Sequence, residues 1–273
     1  MRGEFLDIDG ARLYYFAAGT RGAGEPVVFV HGFPSGSHLW HDVIPHVPAG
    51  HRVVVLDLLG YGRSDRPLGR DVSIPGHARR VLALLDALRI ERACIVGHDA
   101  GGGIAQWLAV HRPARVSRLL LVSSVCFEEW PTRDVKLARA MMPLTRHLPP
   151  TWLLSVLRTD LLRGYADRDL GARSIEMYVR CFASEEGRDT FMQHLAALDS
   201  ADTAALAPRL GGIVAPTAIL WGAHDPFLPP SLARRLQEAI PGATLDVIAD
   251  GRHFIPEESP EQVGAALSTL LAR

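Results

Sequence analysis

The sequence predicts an α/β chain, a mostly parallel central sheet with helices on both faces and one helical insertion. Three observations predict it. Short apolar, β-branched runs bounded by Gly, Pro and Asp alternate with longer segments of helical period through the first half of the chain. Two further runs of the same kind return near the C-terminus. Between the two sets, from about Cys126 to Leu206, the pattern is helical throughout and contains no strand-like run. Strands that alternate with helices are the rhythm of a parallel sheet.

Taken in order, Phe5 to Ile8 and Leu13 to Phe16 flank Asp9-Gly10 and read as an antiparallel hairpin, since that dipeptide accepts the positive φ angles of a tight turn. Val27 to Val30, Val53 to Leu56, Ala93 to Val96 and Leu119 to Val122 are almost continuously apolar, as strands covered on both faces must be. Ala218 to Trp221 and Leu245 to Ile248 complete the set. The helical segment carries Trp130, Met141, Met142, Trp152, Tyr165, Tyr178 and Phe182, enough to bury a face of its own. The expected organisation is a core of residues 1–125 and 207–273 with a helical cap, 126–206, inserted after the sixth strand.

At 273 residues, 48% apolar and 22% charged, the chain fits one large soluble domain with a sizeable core. The formal net charge is −1 and the basic residues are dispersed, which gives no footprint for nucleic acid or for an anionic membrane. Basic charge is carried by arginine apart from Lys136. The expected partner is a small, largely uncharged molecule, and the chain is expected to be a monomer or homodimer. Cys94, Cys126 and Cys181 are odd in number and far apart, so reduced structural thiols are expected. Met1-Arg2-Gly3-Glu4 opens no leader-like run, no stretch is long and apolar enough to span a bilayer, and a cytoplasmic protein is expected. Histidines without paired ligand spacing and the lack of a phosphate loop or dinucleotide fingerprint predict neither metal nor cofactor.

The strongest local signal is Gly97-His98-Asp99-Ala100-Gly101, which follows one strand-like run and opens a helix. A strand-to-helix turn this sharp strains its central residue and requires glycine two positions to either side. Asp99 would then stand above the sheet at a helix N-terminus, ionised and open to substrate. Read alone, the same aspartate is more often a helix N-cap. Other placements bear on the choice. His31-Gly32-Phe33-Pro34 follows the run Val27 to Val30, so the N–H groups of Phe33 and Ala100 can together form an oxyanion hole. Asp225, in Trp221-Gly222-Ala223-His224-Asp225-Pro226, follows the fifth long run, and His253, in Gly251-Arg252-His253-Phe254, follows the sixth. Nucleophile, acid and base thus each lie just beyond the carboxyl end of a strand, where open α/β sheets assemble their sites.

These motifs, with Asp57-Leu58-Leu59-Gly60-Tyr61-Gly62-Arg63-Ser64-Asp65 and the stretch Ala215-Pro216-Thr217 to Asp225, resemble the α/β-hydrolase superfamily over nearly the whole chain. Aspartate at the elbow, preceded by His98, is similar to the branch that holds epoxide hydrolases and the haloalkane and haloacetate dehalogenases. The chemistry fits a carboxylate: attack on an acyl carbon would yield only an anhydride, whereas attack on saturated carbon yields an ester that His253-activated water can cleave.

The resemblance also frames the choice of substrate. Haloalkane dehalogenases of this kind place a tryptophan after the nucleophile, where this chain has Ala100, and a second halide ligand elsewhere, often after His-Gly, where it has Phe33. Haloacetate dehalogenases place arginines there, and Ala100-Gly101-Gly102-Gly103-Ile104 has none. Epoxide hydrolases draw acid donors, typically two tyrosines, from the cap. Tyr165, Tyr178, His147 and His194 are the candidates, and Trp130, Trp152, His31 and His98 are further candidates for the pocket. The expected activity is opening of an epoxide through an alkyl ester on Asp99, with dehalogenation as the alternative. A non-hydrolytic member that binds a ligand or uses Asp99 as a general base is a third reading.

Overall fold

The computed structural model describes residues 3–19 and 24–273; Met1 and Arg2, on which the expectation of no leader partly rested, lie outside them. Strands β1 (Glu4–Ile8) and β2 (Ala11–Ala18) form the expected hairpin. Asp9 and Gly10 turn it with φ of 58° and 73°, the pair of left-handed residues that a two-residue turn needs to match the strand twist. Strands β3 (Val27–Val30), β4 (Val53–Leu56), β5 (Ala93–Asp99), β6 (Val116–Ser124), β7 (Thr217–Gly222) and β8 (Thr244–Ile248) complete an eight-stranded sheet in the order β1-β2-β4-β3-β5-β6-β7-β8. Only the β1–β2 and β2–β4 pairs are antiparallel.

Every residue of β3 and β4 is buried, on both pleat directions, so both faces of the sheet are covered there. Helices α1 (Ile74–Ala87), α2 (Ala100–His111), α8 (Pro230–Ala239), the single turn α9 (Ile255–Glu258) and α10 (Pro260–Leu271) belong to this layer. In α1 the Ser73 hydroxyl caps the Gly76 N–H at 3.1 Å, and Ile74, Ala78, Val81 and Leu85 recur at helical spacing as its buried face.

The chain builds leftward from β3 to β4 and then returns to place β5 on the other side of β3. The direction of winding therefore reverses between β3 and β5, which opens a crevice at their carboxyl ends. Residues just after β3 and at the end of β5 face each other across it.

Five helices fill the chain between β6 and β7: α3 (Arg133–Thr145), α4 (Pro150–Leu161), α5 (Arg168–Val179), α6 (Glu185–Ala197) and the short α7 (Ala201–Ala204). This insert is fastened to the core at two places: Gly69 N donates to Gln193 Oε1 at 2.6 Å and Ile74 N to Asp202 Oδ2 at 3.1 Å, and a second set of bonds lies at Gly164 to Asp167. The Gly164 carbonyl accepts from the N–H groups of His253 (3.0 Å) and Phe254 (3.3 Å), and Glu258 Oε1 accepts from Ala166 N (2.6 Å) and Asp167 N (2.9 Å). Between these bonds the Tyr165 hydroxyl donates to the Glu257 carboxyl, with Tyr178 and Ser174 against the same group.

Burial pushes the Glu257 carboxyl up to about 7, against the pull of those hydroxyls, with Asp42 adding to the rise. An acid whose pKa is higher in the fold than in the unfolded chain contributes stability that is fully present below its ordinary value near 4.5 and is lost as pH rises through about 7. Urea unfolding across pH 4 to 8 should therefore show the wild type losing about 3 kcal/mol relative to Glu257→Gln, which keeps an acceptor for Tyr165 but cannot ionise. A constant difference between the two proteins would count against an ionisable Glu257 at this junction.

Candidate active site

Strand β5 runs into α2 with no residue between them, and Asp99 makes the turn at φ 53° and ψ −122°. A side chain held in this region costs on the order of 1–3 kcal/mol and persists only where packing dictates it. The packing is explicit. A Cβ on Gly97 would sit 2.4 Å from the Gly101 carbonyl oxygen, and one on Gly101 would sit 2.1 Å from that of Val30. Both positions are glycine because strand and helix approach too closely for any side chain.

The alternative role of Asp99 as an N-cap is not what the side chain does, since it makes no capping bond to α2. Its Oδ1 instead accepts from the Phe33 N–H at 2.8 Å, and the Ala100 N–H also favours the charged carboxylate. Phe33 comes from the far side of the crevice and is held there by His31. That ring donates from Nδ1 to the Gly32 carbonyl at 2.9 Å and accepts the Leu58 N–H on Nε2 at 2.9 Å. Burial lowers its pKa, as a ring that must accept on Nε2 requires.

Across the sheet, His253 Nδ1 lies 2.8 Å from Asp225 Oδ2. The other oxygen of Asp225 accepts from Phe227 N at 2.9 Å and Leu228 N at 3.0 Å, so the carboxylate is fixed before it meets the ring. With Nδ1 donating to Asp225, Nε2 is turned to Asp99 Oδ2 at 3.9 Å, beyond hydrogen-bonding distance. The His253 backbone is held from two sides, by Gly164 through its N–H and by His98, whose Nε2 donates to its carbonyl at 3.0 Å.

The charges are tuned by their surroundings. Burial alone would lower the His253 pKa, but the Asp225 carboxylate, by charge and hydrogen bond, and Asp99 outweigh it, and the pKa is raised. For Asp99, burial pushes the carboxyl up, and the His253 cation with the N–H groups of Ala100 and Phe33 only partly offsets it. Asp99, expected to be ionised and open to substrate, does face the cavity, while burial raises its pKa. The group is largely enclosed, and its ionised form leans on an imidazolium and two N–H donors.

Asp99, Phe33, Ala100 and His253 open onto a cavity of about 560 Å³ roofed by the insert. Of the remaining candidates only Trp130 and Trp152 line it. The Trp130 indole N–H is committed to Thr203 Oγ1 at 2.6 Å, so this residue supplies an apolar face and no donor to the cavity. Trp152 lies at the mouth, 46% exposed. His31 and His98 are buried behind the site and position its backbone, as described.

The candidate donors of the insert lie elsewhere, each for a physical reason. Tyr165 and Tyr178 turn away to Glu257, behind Phe254. His147 is exposed in the link between α3 and α4 and accepts from Arg146 Nε at 3.0 Å. His194 is buried, but Phe191, Leu195 and Leu198 form the cavity face of this segment and position 194 falls on the neighbouring face, tilted against Tyr61 at 4.2 Å between ring centres. Burial takes its pKa to about 3, so the ring is neutral.

Reading the sequence missed Phe227, which stands edge-on to His253 at 5.0 Å between centroids, and Asp134 and Asp160, which reach the cavity mouth and share Arg163 at 3.1 and 2.7 Å. Phe227 had a usable signal, its place two residues after Asp225. In the Asp134–Arg163–Asp160 cluster the Asp160–Arg163 pair had a signal in its i,i+3 spacing, whereas Asp134, from another helix, had none.

Residues 25–260 match the family model described as alpha/beta hydrolase fold. The chain is 31% identical over 96% of its length to a 2-hydroxy-6-oxononadienedioate/2-hydroxy-6-oxononatrienedioate hydrolase of Paraburkholderia xenovorans, 91% of which is covered. It is 29% identical over 95% of its length to a cis-3-alkyl-4-alkyloxetan-2-one decarboxylase of Shewanella oneidensis, 85% of which is covered, and 28% identical over 97% to haloalkane dehalogenase 2 of Mycobacterium bovis, 93% of which is covered. With the strained elbow at Asp99, the donor pair of Phe33 and Ala100 and the His253–Asp225 couple at the ends of parallel strands, the chain belongs to the α/β-hydrolase family.

Proposed function

We propose that this hydrolase opens a small strained oxygen ring on an apolar molecule by attack of Asp99 at saturated carbon. The observation that carries the reading is the unequal placing of the two Asp99 oxygens. Oδ1 sits on the Phe33 N–H at 2.8 Å, while Oδ2 is free of a hydrogen bond and faces the cavity, 3.9 Å from His253 Nε2. A serine enzyme keeps such donors open for a carbonyl brought by the substrate. Here the protein's own carboxylate occupies them, so the carbonyl that they polarise is the one Asp99 acquires on becoming an ester.

The steps follow from that arrangement. Oδ2 attacks the ring carbon, the carbon–oxygen bond breaks with its electron pair on the departing oxygen, and an alkyl ester forms. Esterification removes the Asp99 charge, one of the influences that raise the His253 pKa, so a protonated ring releases its Nε2 proton to solvent and the neutral imidazole is ready to act as a base. His253 Nε2 then takes a proton from water, whose oxygen adds to the Asp99 Cγ. The oxyanion forms at Oδ1, which the Phe33 N–H already meets at 2.8 Å, with the Ala100 N–H beside the same carboxylate. Collapse returns the proton to the departing alcohol oxygen and restores the carboxylate.

Displacement at saturated carbon sends the leaving atom away from Asp99, to the side opposite His253, so the base cannot protonate it. The insert wall there is apolar, and Tyr165 and Tyr178 are engaged with Glu257. A ring oxygen that leaves as a carboxylate needs no proton, whereas one that leaves as an alkoxide does. This favours an oxetan-2-one, the ring type in the name of the Shewanella oneidensis relative, and makes an epoxide the second reading, with the Trp152 indole at the cavity mouth as its available donor. A free halide is disfavoured because neither Ala100 nor Phe33 brings a side-chain donor to hold it.

Asp99→Ala should lower turnover of any such substrate by about 10³-fold or more while circular dichroism stays native. Activity near wild type in the folded variant would remove Asp99 from the mechanism. His253→Gln should stall after the first step, so that intact-protein mass spectrometry with a dialkyl oxetan-2-one or a terminal epoxide finds the substrate mass added to the chain. Turnover by His253→Gln without an adduct would mean either direct attack by water or loss of carbon dioxide from the ester without hydrolysis, and the products separate the two. In the wild type the hydrolytic step needs neutral His253, whose pKa in the ester is still supported by Asp225 but no longer by Asp99, so the rate of that step should fall as pH drops through the pKa of the ring in the ester. A pH profile that is flat on the acid side would argue against His253 as the base.

A further inference from the structure

The mouth of the cavity is built from α3 and α4, both of which lean on α6. Along α3, Leu137, Met141 and Leu144 fall at intervals of four and three residues, one face of the helix, and all three are exposed, Leu144 to 72%. Along α4, Trp152 and Val156 do the same, each 46% exposed. Leu137, Met141, Trp152 and Val156 also line the cavity, so its apolar wall continues without interruption onto the surface. Single exposed apolar residues need no explanation, but a continuous row leading out of a pocket marks a place where something apolar rests.

The other end of the same mouth is polar. Asp134, at the start of α3, and Asp160, near the end of α4, share Arg163 there. The α3–α4 mouth is thus a groove with a charged stop at one end and an open apolar end at Leu144 and Trp152. From Leu137 to Leu144 the helix advances about 10 Å, the length of roughly eight extended carbon–carbon bonds.

We propose that the substrate carries a linear alkyl chain, and that the groove between α3 and α4 holds the length of chain that the cavity cannot contain. The inference rests on the proposed chemistry only for which carbon sits at Asp99; the groove itself is a matter of shape and burial. The charged stop keeps the chain from leaving on the Asp134 side, so it runs over Met141 and Val156 toward Leu144. Each added methylene that reaches this row leaves water for an apolar surface, and the row is covered in turn.

The test uses unreactive alkan-1-ols from butanol to decanol with the full-length protein, titrated calorimetrically. Affinity should rise about fourfold per methylene and should still be rising from octanol to decanol. In Leu144→Glu/Val156→Glu, both exposed positions, butanol and hexanol should bind as in the wild type, while the gain from octanol to decanol should disappear. Asp99→Ala should bind the whole series normally, so failure of the ring-opening chemistry would leave this result standing. A wild-type series that levels off at hexanol, or a variant with the full slope, would overturn the proposal. So would an unchanged series accompanied by loss of a dimer in sedimentation velocity, since a second copy of the chain would then be what covers the row.

Discussion

The hydrogen bond from the Phe33 N–H to Asp99 Oδ1 joins the two sides of the sheet at the point where its winding reverses, and the remaining geometry is arranged around it. It requires the carboxylate to stand upright over β5, which only a left-handed backbone achieves, and that backbone is possible only because Gly97 and Gly101 let strand and helix nearly touch. It also requires the chain after β3 to turn inward, which His31 enforces by bridging Gly32 and Leu58. The strain is held between fully buried strands, β3 on one side and the buried length of β5 on the other, where close packing resists movement.

The same bond settles the electrostatics. Two carboxylates and an imidazole are enclosed together, an arrangement that burial would neutralise if each group stood alone. Asp225 is anchored by two N–H groups and the ring, and Asp99 by two N–H groups and the charge of the ring. The imidazole pKa is raised because Asp225, and Asp99 with it, outweigh the effect of burial. Whatever removes the charge of one carboxylate changes the affinity of the ring for its proton, so acid and base behaviour follow the state of Asp99 without any movement of the chain.

The sheet, the elbow and the order of Asp99, Asp225 and His253 were legible in the sequence because each depends on a short stretch. Glycine spacing reports a close approach, and a run of apolar residues ending in Asp or His reports the end of a buried strand. The insert was legible as helices and illegible as a lining. Tyr165 is paired with a carboxyl 92 residues away, and His194 misses the cavity by one position on α6 while Leu195 does not. Which face of an amphipathic helix meets a pocket depends on how that helix is rotated against its neighbours, and composition carries no record of that rotation. The residues that were hardest to see, Gly164 and Asp134, act through a backbone carbonyl and through an ion pair to Arg163 from another helix.

Gly164 offers a single carbonyl to the N–H groups of both His253 and Phe254. The insert is therefore an arch whose footing is also the mounting of the base. An arch of this kind does not swing open like a door, because rotation about that footing would carry the imidazole away from both its carboxylates. The cavity opens at the mouth between α3 and α4, so a route to the base exists that leaves this footing in place.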